Sequence, residues 1–398
     1  VHASHEPRLL SPAFAWLVGG QLLQSVGYAT LPLLPVYLTF LGANRVHIGG
    51  LMAAAAVGGL LFRPLTGWAL DRVGRVPTVL VGTVLMALAT VTAGLMTTLG
   101  PLWWVNRVVF GVGMGCLFTG YFTMAGDLVP PTRRTEGLAL FGVAGLLPLV
   151  VNPLSTELGW TGAMLGRLFV TGGGLIALSA FCVWPLRRLG RPAHGGAEAV
   201  DQQADAGWWR SLTARPLWSV WLATMLLSAM VAVFLSFATV AAQSRGVPRA
   251  TWMWFAYAAG AIGVRLLGAR VPDRVGTHNM VMPSVACYVL ALVWMAGAST
   301  WGSVLLAAGM AGLGHGYCFP VLMSQVVSRV RGSRRGMGVS VFTGLWDVSL
   351  LVWTPLLGWL ADRQGDGMMF STLAVGVVVA MGGWVALEHG GLRARTVG

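Results

Sequence analysis

Across its 398 residues the chain is 56% hydrophobic and only 10% charged, where soluble domains carry about a quarter charged residues, and a mean hydropathy of +0.73 excludes an ordinary water-soluble globule. The net charge of +13 would suggest nucleic acid in a soluble protein, but the basic residues are all arginines, mostly in short loops, where they act as topology signals beside anionic lipid. The four cysteines (Cys116, Cys182, Cys287, Cys318) lie in apolar stretches without metal-like spacing, which excludes a disulfide framework or a zinc site and leaves packing.

In chain order, apolar runs long enough to cross a hydrocarbon layer of ~30 Å as helices are expected near 12–40, 47–70, 77–98, 101–125, 136–157 and 165–186. The first is too long, and lacks the small-residue site, for a cleavable signal. A polar stretch over 187–216 follows, in which "WWRSL" suggests the start of a surface-lying helix. Six further spans are expected near 216–243, 250–271, 278–299, 302–326, 336–358 and 367–388. With the N-terminus inside, cytoplasmic segments hold 18 arginines and the outer loops five (Arg45, Arg167, Arg245, Arg249, Arg363), while Arg63, Arg107 and Arg265 fall inside spans. The excess of inside arginine places both termini and the linker in the cytoplasm.

The two halves repeat at a near-constant offset. Arg63, Asp71, Arg72 and Gly74 meet Arg265, Asp273, Arg274 and Gly276 at 202; "GVGMGCLF" (111–118) meets "GLGHGYCF" (312–319) at 201; Pro153 meets Pro355 at 202. Such duplication marks many transporter folds. It predicts an all-α membrane protein of twelve helices: an N-terminal six-helix half (1–186), a cytoplasmic linker (187–215) and a C-terminal six-helix half (216–398). The repeat also sorts three similar charged turns. "GWALDRVGR" (67–75) pairs with "GARVPDRVG" (268–276), both inside, whereas the closer textual copy "GWLADRQG" (358–365) falls between spans 11 and 12, on the opposite side.

Twelve spans in two halves, with G-x-x-x-D-R-x-G-R at Gly67, Asp71, Arg72, Gly74 and Arg75, resemble the major facilitator superfamily over essentially the whole chain. Arg107, Gly111 and Gly115 match that family's span-4 signature. Gly142, Gly145 and Pro148 match only part of its span-5 antiporter signature, because the Gly-Pro dipeptide and the glycine pair after it are missing. The closest general similarity is to bacterial drug or metabolite efflux members of the inner membrane. The resemblance implies that Asp71 faces the start of span 11, near Arg335 to Gly338. By the repeat, Asp273 faces the start of span 5, near Thr135 to Gly137. Gly67, Asp71, Arg72, Gly74, Arg75, Asp273, Arg274 and Gly276, with Arg63 and Arg265 near the inner ends of spans 2 and 8, form the expected cytoplasmic gate, closed in the outward-open state. A solvated turn carrying topology arginines is the plainer alternative.

Charges far inside a span are costly and suggest function. Asp347 is the one acid in mid-span and is the candidate for proton exchange or for holding a cationic group, unless a structural partner neutralises it permanently. Arg107 stays charged and suits a carboxylate or phosphate, or acts on a proton site; the alternative is an arginine tied to helix carbonyls or snorkelling outward. His315, the one mid-span histidine, titrates near neutral pH in water but is as consistent with packing. Gln21, Gln24, Asn106, Asn152 and Trp346 are candidates to line the cavity, with interhelical hydrogen bonding as the alternative for each polar one. No nucleotide-binding G-x-x-x-x-G-K-[ST] loop exists, so an ion gradient is the expected drive. The clustered acids, histidines or nucleophiles of a membrane enzyme are missing, and so is the large extramembrane domain of a receptor or scaffold. The expectation is a monomeric secondary transporter working by alternating access, needing a small-molecule substrate, protons and lipid, but no cofactor, metal or nucleic acid. Proton-coupled export is preferred to proton-coupled uptake or facilitated diffusion.

Overall fold

The computed structural model describes residues 11–29, 33–43, 45–151, 154, 157–160, 162–189, 212–330 and 335–396. Among them the chain is helical and contains no strand. The helices are α1 (Pro12–Tyr28), α2 (Leu34–Phe40), α3 (Arg45–Arg72), α4 (Arg75–Leu95), α5 (Leu102–Leu128), α6 (Arg134–Leu146) and α7 (Ala163–Val183), then α8 (Trp218–Ser244), α9 (Met253–Leu267), α10 (Val271–Val275), α11 (Thr277–Gly297), α12 (Trp301–Arg329), α13 (Arg335–Gln364) and α14 (Asp366–Thr396).

Nine helices of the described residues are long and apolar enough to cross a membrane. The three other expected spans are accounted for locally. The first is split into α1 and α2. The fifth passes from α6 into a 3-10 turn, Leu147–Val150, at Pro148, where a missing N–H and a ring clash end the regular helix. The eighth is reduced to α9, with the short α10 completing it. The linker segment "WWRSL", except for its last residue, and Asn152 and Pro153 lie outside the described residues.

Local sequence explains most helix ends. The Ser11 hydroxyl accepts from the Phe14 N–H at 3.1 Å and Pro12 opens α1, a Pro-first N-terminus. Thr300 and Ser303 form a reciprocal capping box before α12, at 3.2 and 3.0 Å. Gly74 and Gly276, at φ 125° and 100°, make the equivalent turns before α4 and α11, a conformation that L side chains rarely adopt.

Within each set of helices, glycines bring backbones into contact in matched ways. A methyl group on Gly111 would strike the Ala55 carbonyl oxygen, and one on Gly312 the Tyr257 carbonyl oxygen. One on Gly113 would lie 2.6 Å from the Met86 nitrogen, and one on Gly314 2.9 Å from the Tyr288 nitrogen. These four glycines therefore weld α3–α5–α4 and α9–α12–α11 by the same close packing that small residues give in membranes. The first set (α1–α7) meets the second (α8–α14) chiefly through α3 and α5 with α13, and α6 with α9 and α12.

Candidate functional site

Where the two sets meet, the turn after α3 comes first. Gly67 has no side chain, and a methyl there would sit 2.9 Å from the Met337 sulfur and 3.0 Å from Ser340 Cβ of α13. That close approach lets the Asp71 carboxylate accept from the Gly336 and Met337 backbone N–H groups, both at 3.0 Å. The repeat is obeyed in the other half: Asp273 accepts from Thr135 N at 3.2 Å and from Glu136 N at 2.9 Å, at the start of α6. Both acids occupy helix N-termini, where free N–H groups and the helix dipole favour an anion.

Around these caps lies a charge network that the motif alone did not reveal. Arg75 binds Asp71 at 2.7 Å, Asp127 at 3.2 Å and the Leu70 carbonyl. Arg335, from the second set, reaches Asp127 at 3.0 Å. Beside Asp273, Glu136 takes Arg133 of its own set at 2.6 Å and Arg270 of the other at 3.1 Å. The signal for Asp127 was visible as an acid closing span 4 just ahead of the "PPTRR" turn; nothing in its spacing named Arg335. Arg274 is exposed, away from these bonds. At the opposite end the sets also touch, through Glu157 with the Trp252 indole at 3.0 Å and Arg249 at 4.0 Å.

Deeper in the interface the expected placement of Arg63 needs correction. It sits more than two helical turns inside the end of α3, not among the gate charges, and is 3% exposed. Its Nη2 and Nε atoms grip one Asp347 oxygen at 2.7 and 2.8 Å. Nη1 donates to Thr119 Oγ1 at 2.8 Å, Thr343 Oγ1 at 3.0 Å and the Gly115 carbonyl at 3.2 Å. Thr119 and Thr343 are themselves 2.9 Å apart. A cation from the first set and an acid from the second are thus joined inside the helical layer. The reason this pair escaped the sequence is that its members stand 284 positions apart and the repeat supplies no matching acid.

Arg265 stands in the last turn of α9, near the inner end of span 8 as expected, and faces α6 of the other set. It is 3% exposed, and its Nε donates to the Gly316 carbonyl at 3.0 Å. A methyl on Gly142 of α6 would collide with its guanidinium. Phe319 lies beneath it, centroid 6.0 Å from Cζ. Next to it, His315 Nδ1 shares a 2.7 Å hydrogen bond with the Tyr257 hydroxyl, and the His315, Phe319 and Trp346 rings stand 5.5 to 5.9 Å from one another. The Trp346 indole N–H is buried without an acceptor among the described residues.

The remaining candidates separate. Arg107 is 2% exposed, lies 4.3 Å from the Phe110 ring and has a buried Nε with no acceptor among the described residues. It lines a narrow cavity inside the first set with Gly27, Tyr28, Phe110 and Phe169. Gln21 faces α6, since a methyl on Gly145 would lie 3.3 Å from its Nε2, and that nitrogen donates to Ser25 at 3.2 Å. Gln24 turns instead toward the Met86 sulfur at 3.9 Å. Asn106 does not line the interface: it donates to the Ala89 carbonyl at 2.7 Å and Thr92 Oγ1 at 2.8 Å. It ties α5 to α4. Of the mid-span candidates, Asp347 bridges the sets through Arg63; His315 and Trp346 pack together with Phe319 of the second set, and the contacts of Arg107, Gln21, Gln24 and Asn106 lie within the first.

Comparison with known proteins adds the following. The family model described as Major Facilitator Superfamily matches residues 17–354. The uncharacterized MFS-type transporter YhhS of Escherichia coli strain K12 is 24% identical over 364 residues, covering 88% of this chain and 86% of that protein. Among solved structures, the human organic anion transporter MFSD10 superposes with a TM-score of 0.73 at 17% identity, over 94% of this chain and 99% of that one. The E. coli fucose:proton symporter FucP gives 0.73 and 17%, over 94% and 98%. At such identities the structural likeness speaks for the fold alone.

Proposed function

The chain belongs to the major facilitator superfamily and is a multi-pass membrane transporter; from that premise we propose that it is a proton-coupled exporter of a small molecule, working by alternating access in a bacterial inner membrane with the Asp71 end in the cytoplasm. The single observation that carries this reading is the Arg63–Asp347 pair bridging the two sets inside the helical layer. Protonating that carboxylate would cancel the charge that holds Arg63, so the bridge between the sets can be made and broken by one proton. The Asp71 and Asp273 caps hold the Asp71 end shut in this conformer, and reopening them toward the cytoplasm completes the cycle.

Export rests on the likeness to efflux members at Gly142, Gly145 and Pro148. The missing Gly-Pro dipeptide favours a second reading, proton-coupled uptake, in which cargo and proton travel together. Purified protein in proteoliposomes discriminates these. A compound found by thermal stabilisation is loaded, and its flux is followed with an imposed pH gradient of either sign. One pH unit is worth 1.36 kcal/mol, so one-proton coupling lets cargo accumulate about tenfold per unit. Accumulation against the proton flow supports export, accumulation with it supports uptake, and flux blind to the gradient removes proton coupling altogether.

A further inference from the structure

The internal repeat sets two buried arginines side by side for comparison. Arg63 and Arg265 are counterparts, and both lean on the carbonyl of a counterpart glycine, Gly115 in one half and Gly316 in the other. Around Arg63 the other four donor contacts go to Asp347, Thr343 and Thr119. At the offset of 201 that pairs Gly115 with Gly316, one less than that of the arginines themselves, the counterparts of those three positions are Leu146, Gly142 and Pro320. The acid and both hydroxyls are gone. Gly142 faces the Arg265 guanidinium as Thr343 faces that of Arg63, and Leu146, one turn further along α6, is the position that answers to Asp347 in the repeat. Arg265 consequently keeps one hydrogen bond, from Nε, and no carboxylate among the described residues.

A permanently charged guanidinium that is 3% exposed in a membrane protein, without a counter-ion, is costly unless something else supplies one. Mere topology does not call for it, since topology arginines lie in loops. Its surroundings are those of a binding site for a ring: His315, Phe319 and Trp346 form a contiguous aromatic wall, Phe319 touches both the wall and Arg265, and the Trp346 N–H is left with a donor to offer. From the other half, α6 presents Gly142 to the guanidinium, where a methyl group would collide with it.

We propose that Arg265 is the anion-binding residue of the cargo site: a singly charged oxyanion (carboxylate, sulfonate or phosphate ester) on a planar aromatic cargo takes the place beside Arg265 that Asp347 takes beside Arg63. The guanidinium fork offers its two Nη atoms to that oxyanion, and the ring lies against the wall of His315, Phe319 and Trp346. The cargo completes the second half of the repeat in the way a built-in acid completes the first. The inference rests on the reading of the chain as an alternating-access carrier, but on no assumption about protons.

The test is equilibrium binding to the purified full-length protein in detergent, followed by thermal unfolding. Benzoate, benzenesulfonate and phenyl phosphate are compared with uncharged benzamide at equal ionic strength. At least one acid is expected to raise the unfolding temperature where benzamide does not. Arg265→Gln should weaken its half-saturating concentration by at least tenfold, and Arg265→Lys should retain part of the response. Leu146→Asp supplies the missing acid internally; it should fold, and it should no longer respond to the acids. It also decides the matter if Arg265→Gln proves too unstable to purify. The inference is overturned if no acid outperforms benzamide, or if Arg265→Gln or Leu146→Asp responds as the unaltered chain does. Because no gradient is applied, proton-driven flux that survives a negative result here leaves the coupling intact, while acid binding without proton coupling leaves this inference intact.

Discussion

Asp347→Asn is expected to abolish proton-driven flux and to destabilise the present conformer by about 3–5 kcal/mol, the loss seen when one member of a buried ion pair is removed. Arg63→Met should cost a similar amount. Each leaves a 2.7 Å buried partner with nothing to neutralise it, although the side chain of Asp347, at 18% exposure, is partly relieved by solvent. The double replacement Arg63→Met with Asp347→Leu should recover most of that stability, because the two charges leave together and the Thr119–Thr343 hydrogen bond at 2.9 Å remains. It should not recover coupling. The measurement is a double-mutant cycle on unfolding temperature, run beside flux under a pH gradient. Additive losses in the two single variants would mean that the pair does not act as a unit. Gradient-sensitive flux in Asp347→Asn would mean that the proton uses another route.

The second large effect concerns the caps. Asp71→Asn and Asp273→Asn each turn two charge-assisted bonds to backbone N–H groups into at most one neutral bond, and hydrogen bonds to a charged group contribute about 1.5–3 kcal/mol each. The conformer shut at the Asp71 end should lose tenfold or more of its population in either variant. Transport should fall by a similar factor while cargo binding to the open conformer is kept. Of the two, Asp273→Asn is the cleaner experiment. Asp71 also holds Arg75, which stays bound to Asp127 when Asp71 is changed. Transport at the unaltered rate in both variants, in vesicles, would show that the caps do not limit the cycle.

Legibility differed sharply among these residues. Where Asp71 and Asp273 point was readable because a repeat at constant offset is a statement about geometry: one recognised contact predicts its twin. It also explains why "GWLADRQG" misleads. Its residues run as the last turns of α13 to Gly365, whose φ of 86° ends the helix, and Gly358 there packs on Phe237 of α8. The Arg63–Asp347 pair was invisible for the converse reason. It is a place where the halves differ, so the duplication has nothing to say about it, and hydropathy treats both residues only as interruptions. Asn106 and Gln24 were ambiguous because a buried amide bonded inside one helix set and one lining an interface have the same sequence signature. Helix continuity was over-read at span 5, where Pro148 converts an apolar run into a 3-10 turn.

The inventory of buried charge has an electrical consequence. Among the described residues deep in the helical layer, Arg63, Arg107 and Arg265 stand against one acid, Asp347, a surplus of two positive charges. A rocking motion that shifts those charges along the membrane normal does work against the transmembrane voltage, at about 2.3 kcal/mol per charge for each 100 mV fully crossed. Under the proposed cycle the unloaded carrier would be a voltage-sensing body, and a singly charged anionic passenger would halve its sensitivity. Voltage then favours one orientation of the empty carrier over the other before any chemical gradient acts, which a charge displacement on a voltage step without cargo would register.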